Sequence, residues 1–274
     1  MMDKILWVVH DNLGNEHEFS QLKSAFNKYE IPFHAFHHVP FSDELPQVIW
    51  DGPVIAYGAT RFIENVFKEG AWSPGAFFDD KAFSMSSYNK HYGEHSLNYK
   101  SECSTIEIFS KREHDSDQLF FVRPQGDHKE FAGDVVEFGK ISKWFRKVSI
   151  GNYILRGDTP IIVSKPKNLG REWRLFIVEG RVSTGSQYRH NHRLSQDPHI
   201  PKTVIEFAEL MTRKWSPADV FAMDVCEHDG GLKIIELNCF NSSGFYLSNI
   251  EKLVFDVSQF IAKRYTTTLD NTGA

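Results

Sequence analysis

The stretch 220–240, VFAMDVCEHDGGLKIIELNCF, constrains this chain more than any other, because two apolar runs flank Asp229, Gly230 and Gly231, the turn chemistry of a β-hairpin. Side chains alternate across a strand with period two, so the length of the turn decides which residues share a face. A three-residue loop pairs His228 with Leu232 and sets Asp224 directly across from Glu236. Phe221, Met223, Val225, Ile235, Leu237 and Cys239 then make one apolar face, while Asp224, Glu236 and Asn238 gather on the other. A two-residue loop would split the two carboxylates between faces. Opposed carboxylates with Cβ atoms about 4.5–5.5 Å apart repel unless a proton or a cation lies between them. Two carboxylates and an amide are hard oxygen donors, which suit Mg²⁺ or Mn²⁺ better than Zn²⁺. The competing reading is a solvated sheet face.

Upstream, the pattern predicts a small α/β unit. A strand at 5–9 is followed by a helix with Phe19, Leu22, Phe26 and Tyr29 on one face, extended segments near 33–39 and 53–57, and a helix over 59–69 stopped by Gly70. Residues 71–100, rich in Ser, Asn, Tyr and Gly, read as a connecting region. From about 118, apolar runs at 119–122, 153–155, 161–164 and 173–178 read as strands. Helices are expected over 202–215, with Pro201 in the first turn, and from Ser248, where Ser248 and Glu251 match a capping box. The polar tail from Thr266 reads as frayed.

Composition removes several functions. A formal charge of −5 gives no electrostatic case for nucleic acid. No run approaches the roughly 20 apolar residues of a membrane span, and the N-terminal apolar stretch lacks the small-residue cleavage site of a signal peptide. Cys103, Cys226 and Cys239 are widely spaced, which reads as free thiols in a reducing, cytoplasmic setting. The Walker and dinucleotide glycine motifs are missing, as is a Gly-x-Ser-x-Gly elbow, and the scattered histidines have neither the spacing nor the cysteine partners of a zinc site.

Phosphate chemistry has other candidates. FFVRPQGDHKEFAGDVV at 120–136 holds Arg123 on a strand end and Lys129 on a polar loop, a planar fork and a point charge that could grip phosphates together. Glu172 and Arg174 share one face of the strand that follows Gly170, and Tyr188 and Arg189 close a return strand. Taken singly, each has a plain alternative in surface charge pairing.

Together, Arg123-Pro124, Lys129, Glu172-x-Arg174, Asp224 and Glu236-x-Asn238 resemble the ATP-grasp superfamily, and in their FVRP, EWR and IELN-type motifs its compact bacterial and phage branch. The resemblance covers roughly 119–246 and implies two α+β lobes closing on ATP, with lobe A at about 101–163, lobe B at about 164–266, and a small α/β unit at 1–100 before the ATP-grasp domain of 101–274. It implies an ATP- and Mg-dependent ligase that joins a carboxylate to an amine or thiol through an acyl phosphate, with small-molecule or peptide substrates and neither nucleic acid nor membrane as partner. Alternatives from other classes are a non-catalytic nucleotide-binding protein and a kinase-like phosphotransferase.

By position, Arg123 would serve the α-phosphate and Lys129 the loop over the phosphates. Val163, Ser164, Lys165 and Pro166 would form the hinge that reads adenine, and Glu172 would lie on the nucleotide side. Arg174 would face phosphate or acyl phosphate, Asp224, Glu236 and Asn238 would hold the metal, and Tyr188, Arg189 and Ser243 would face the substrate. Two departures stand out: Arg123 replaces the lysine of many members, and the loop GDHKEFAG is poor in glycine.

Overall fold

A computed structural model describes residues 2–12, 16–37, 39, 42–127, 130–152 and 154–272, with side chains to Arg264 except those of Asp3 and Glu16. The apolar run at the start forms β1 (Leu6–His10), fully buried, followed by α1 (Glu16–Lys28), β2 (Phe33–Phe36), β3 (Val54–Tyr57), α2 (Thr60–Glu69) and β4 (Pro74–Gly75). The strands align in parallel in the order β2-β1-β3-β4. Next come α3 (Met85–Tyr92), β5 (Glu102–Thr105), α4 (Ile106–Phe109), β6 (Leu119–Pro124), β7 (Asp134–Glu137), α5 (Ile141–Val148) and β8 (Pro160–Ser164). Here the sheet is antiparallel, in the order β5-β8-β6-β7. The last part comprises β9 (Arg171–Val178), β10 (Arg181–His190), β11 (Arg193–Asp197), α6 (Lys202–Lys214), β12 (Val220–His228), β13 (Gly231–Cys239) and α7 (Ile250–Thr272). Its five strands run antiparallel as β11-β10-β9-β12-β13. The mixture is α+β, as expected.

Burial couples these layers unequally. The β5–β8 sheet closes its own core around Ile106, Phe109, Val122, Trp144 and Ile161. The N-terminal sheet instead shares its core with the five-stranded sheet: Trp7, Val9, Phe26 and Tyr57 cluster with Phe176, Ala222, Phe240 and Val257. Trp7 Nε1 donates to Ser258 Oγ on α7 at 3.0 Å, which satisfies a polar atom that burial would otherwise strand. The second sheet is therefore a separately cored flap over a base made by the other two. Among the described residues, no helix is long and apolar enough to cross a membrane.

Three local expectations are corrected. The segment 71–100 carries α3, whose Met85, Tyr88 and Tyr92 are buried on one face at helical spacing, with Ser84 Oγ capping Ser87 N–H at 3.3 Å. Its Ser and Asn residues disguised the period. Residues 154 and 155 form no strand, although Leu155 is buried in the flap core; Tyr153 lies outside the described residues. The cap of α7 is Asn249, which accepts from Lys252 N–H at 2.9 Å, and the helix continues through the supposedly frayed 266–272.

Candidate active site

The hairpin reaches its expected carboxylate pairing by an unexpected route. The loop has two residues, Asp229 and Gly230, with φ of 49° and 75°, the left-handed pair that a primed turn requires, and His228 pairs with Gly231. That register alone would separate Asp224 from Glu236. A β-bulge then intervenes, since Val225 pairs with Ile234 while Asp224 pairs with Glu236, leaving Ile235 as the extra residue. The bulge sends Ile234, rather than Ile235, into the core and turns Ile235 onto a cleft wall.

The cleft has a volume of about 950 Å³ and lies between flap and base. Arg123 reaches it from β6, Glu172 and Arg174 from β9, Tyr188 and Arg189 from β10, and Glu236 and Asn238 from β13. Arg123 Nη1 contacts Glu236 Oε2 at 2.7 Å, a bond between flap and base. Glu236 Oε1 lies 3.9 Å from Arg174 Nη2 and accepts from Asn238 Nδ2 at 3.3 Å, so the Asn238 amide oxygen faces away from that carboxylate. Arg174 in turn forks onto Asp224, with Nε and Nη2 each 2.8 Å from a carboxylate oxygen. The result is an alternating chain of charges, Arg123, Glu236, Arg174 and Asp224.

Burial makes that chain strong. Arg174 and Asp224 are 8% and 2% exposed, so neither charge can be left to water. Burial opposes the Arg174 charge, but Asp224 more than compensates and holds the guanidinium protonated well beyond its ordinary range. Burial likewise pushes the Asp224 carboxyl up, against the pull of Arg174.

Glu172 behaves differently. It is 3% exposed, its Oε2 accepts from Tyr188 Oη at 3.1 Å and lies 4.0 Å from Arg189 Nη1, and its Oε1 has no hydrogen-bond partner among the described residues. Burial raises its pKa, which Arg189 only partly offsets. A raised folded-state pKa in a carboxyl favours the neutral form, so the group destabilises the fold increasingly as pH rises from the unfolded value of about 4.3. Glu172→Gln should therefore melt higher than the parent at pH 8, with the gap closing by pH 4. A gap independent of pH would show that charge burial is not the cause.

Other expected residues fall in varied places. Lys165 lines the cleft, and Ser164 Oγ donates to Asn98 Oδ1 at 3.2 Å. Ser243 does not reach the cleft: it is fully buried and its Oγ donates to the Cys239 carbonyl at 2.7 Å. Asp224 also stands behind the lining, clamped by Arg174. Lys129 lies outside the described residues.

Lys167, Asp127 and Tyr246 are among the lining residues not singled out from sequence. Lys167 Nζ donates to Asn98 Oδ1 at 2.7 Å, and burial pushes its ammonium pKa down. Asp127 Oδ2 accepts from Cys239 N–H at 2.8 Å, tying the base of the flap loop to the end of β13. Tyr246 holds φ at 52°, costly for an aromatic residue, with its ring stacked on Tyr188 at 4.9 Å and beneath Arg174 at 5.1 Å. No periodicity marks such loop residues; only the fold gathers them.

Oxygen donors at this end fit a hard divalent cation. Glu236 and Asn238 face the cleft with a carboxylate and an amide, while Asp224 stands behind the lining with both oxygens bonded to Arg174.

No curated protein matches this sequence. Among solved structures, the chain is similar to the D-alanine–D-alanine ligase of Bacillus anthracis, at 10% identity and a TM-score of 0.58, covering 99% of each chain. It is similar also to D-cycloserine synthetase DcsG, at 12% identity and a TM-score of 0.58 over 95% of this chain and 99% of that one. A third is ATP-grasp ligase PsnB, complexed with a phosphomimetic variant of its minimal precursor, Mg and ADP, at 10% identity and a TM-score of 0.58 over 92% and 97%. These likenesses establish the ATP-grasp fold. Residues 71–257, most of the chain and all of the cleft strands, match the model of an ATP-grasp domain, family 3 of its clade, and the chain belongs to that ATP-grasp family.

Proposed function

We propose that this ATP-dependent ligase of the ATP-grasp type joins a carboxylate, on a small molecule or a peptide, to an amine or thiol through an acyl phosphate. The observation that carries the reading is the chain of Arg123, Glu236, Arg174 and Asp224, which runs from the flap across to the base of a cleft large enough for a nucleotide. The nucleotide lies between 101–163 and 164–266, with 1–100 as the preceding unit. The backbone of 163–166, with Ser164 and Lys165, takes adenine, and Glu172 Oε1 offers an acceptor to a nucleotide hydroxyl. Arg123 and Arg174 hold the phosphates. Lys129, on sequence grounds alone, is assigned a phosphate contact, and Tyr188 and Arg189 face the substrate.

A divalent cation, Mg²⁺ or Mn²⁺, held by Glu236 and Asn238 with Asp224 behind them, would offset phosphate charge when bound. The protein's own part is orientation and electrostatics. A carboxylate oxygen attacks the γ-phosphorus and the bond to the β-phosphate oxygen breaks, so ADP leaves. The amine nitrogen or thiol sulfur then attacks the acyl carbon, gives up a proton, and inorganic phosphate departs. Arg174, kept protonated by Asp224, stands where negative charge collects in both steps.

The cysteines support an acyl group that stays on the substrate. Burial pushes the Cys226 thiol up to about 12, Cys239 is buried against Asn241, and burial also raises exposed Cys103. With a suitable carboxylate and hydroxylamine in place of the amine, hydroxamate and ADP should form in equal amounts, and changing all three cysteines to serine should leave the yield intact. AMP in place of ADP would contradict the acyl phosphate. A lasting phosphate ester on a hydroxyl would favour the phosphotransferase alternative.

A further inference from the structure

Beyond the cleft lip, the β10–β11 hairpin extends a surface that the proposed chemistry does not use. Its turn, Asn191 and His192, adopts φ of 49° and 63°, and the register sets His190 across from Arg193 and Arg189 across from Leu194. Arg189 and His192 line the cleft. Continuing outward, His190, Asn191, Arg193, Leu194 and Ser195 surround a second, shallow depression of about 550 Å³.

Three properties of this surface point to one kind of occupant. First, among the described residues β11 pairs only with β10, so its outer edge presents unpaired backbone donors and acceptors. Second, the formal charges exposed between the cleft and the depression, those of Arg189 and Arg193, are both positive, and the one acid of β11, Asp197, stands at the far end of the strand with its Oδ1 accepting from His199 N–H at 2.8 Å. Arg189 and Arg193 are exposed, the carboxylate nearest Arg189 is buried Glu172 beneath it, and neighbouring Arg171 is already paired with Glu227 at 2.5 Å. This local excess stands on a chain whose total is −5. Third, Leu194 is 77% exposed between the basic groups. Charged residues on an edge strand also deter self-pairing, but that need does not call for continuity with a cleft.

We infer that the carboxylate substrate is carried by an acidic peptide that lies extended along the open edge of β11, its reacting carboxylate passing Arg189 into the cleft. The inference rests on the ligase reading for the last part of that statement only. Edge pairing supplies affinity without regard to sequence, while the arginines select acidic side chains and Leu194 takes an apolar one. A free dicarboxylate would use Arg189 alone and leave the edge and the second depression unused.

The test uses the full chain and a fluorescein-labelled hexaglutamate peptide. Anisotropy should report binding that weakens with added salt. Arg193→Glu should weaken it about tenfold or more, and Arg193→Lys much less. ATP-induced thermal stabilisation should be the same in both variants, because Arg193 does not line the cleft. Hydrogen exchange should slow across 193–197 when the peptide is present.

Absence of peptide binding, indifference to Arg193→Glu, or unchanged exchange at β11 would each overturn the proposal. So would a labelled thymidine decanucleotide binding with the same dependence on Arg193, since the surface would then read anions in general. Failure of the two readings can be told apart. Hexaglutamate binding without any hydroxamate removes the ligase chemistry and keeps the docking edge. Hydroxamate from small carboxylates, with no peptide binding, does the reverse.

Discussion

Asp224→Ala should lower the unfolding free energy by about 3–5 kcal/mol, because it strands the Arg174 guanidinium in a site where water cannot replace the lost fork. For a chain of this size that corresponds to a fall in melting temperature on the order of 10 °C. Asp224→Asn should fall between, since one amide oxygen can still accept from Arg174 while the charge is lost. The paired change Asp224→Leu with Arg174→Met should recover most of the stability, as apolar replacement of a buried ion pair often does, while remaining inactive. Denaturation curves for the three variants test this, and a parental melting temperature in Asp224→Ala would mean that the pair is solvated after all. The double variant matters because it separates stability from catalysis: a stable, inactive protein puts the ion pair in the chemistry.

Glu236→Gln is the second large effect, and here the loss is functional. The Glu236 carboxylate receives Arg123 from the flap at 2.7 Å, lies 3.9 Å from Arg174 and sits beside Asn238 in the proposed cation site. A glutamine keeps the shape, removes the charge that draws the flap down, and supplies a poorer oxygen to a hard cation. Its side chain is a quarter exposed, so the fold should tolerate the change. Turnover should drop about 10²–10³-fold, the usual effect of removing one preorganised electrostatic group. The Mg²⁺-dependent part of the ATP-induced rise in melting temperature should disappear as well. Titrating Mg²⁺ at fixed ATP measures the second effect independently of turnover. Retention of the full metal-dependent rise would remove Glu236 from the cation site.

The two variants also show why spacing and structure must be read together. From sequence, Asp224, Glu236 and Asn238 form a face of equals, and substitution at either acid looks harmless to the fold. The structure separates them: Asp224 is the buried half of an ion pair with Arg174, whereas Glu236 and Asn238 present themselves to the cleft. The partner that makes the difference lies fifty positions upstream, on β9, and becomes a neighbour only because β9 pairs with β12. Tyr246 and Asp127 were invisible for a related reason. Their roles come from a left-handed backbone and from a bond across the cleft, and neither leaves a period in the chain.

What the sequence determined by itself was local and periodic. Apolar runs bounded by turn residues gave the strands that carry the site, helical spacing gave α2 and α6, and the Asp-Gly turn placed a hairpin where Asp224 and Glu236 could meet. The short motifs gave the family, because each sits on a strand whose position is held by its own apolar face. Tertiary structure alone decided the register and the partners. The two-residue turn should have separated the carboxylates, and the bulge at Ile235 restored them, because burying Ile234 in the shared core outweighs the ladder bonds a bulge gives up. Ser243 went to the interior for a comparable reason, its hydroxyl satisfying a buried carbonyl. Periodicity is written residue by residue along the chain, but the free energy that selects one register over its neighbour is released only when distant faces close on each other.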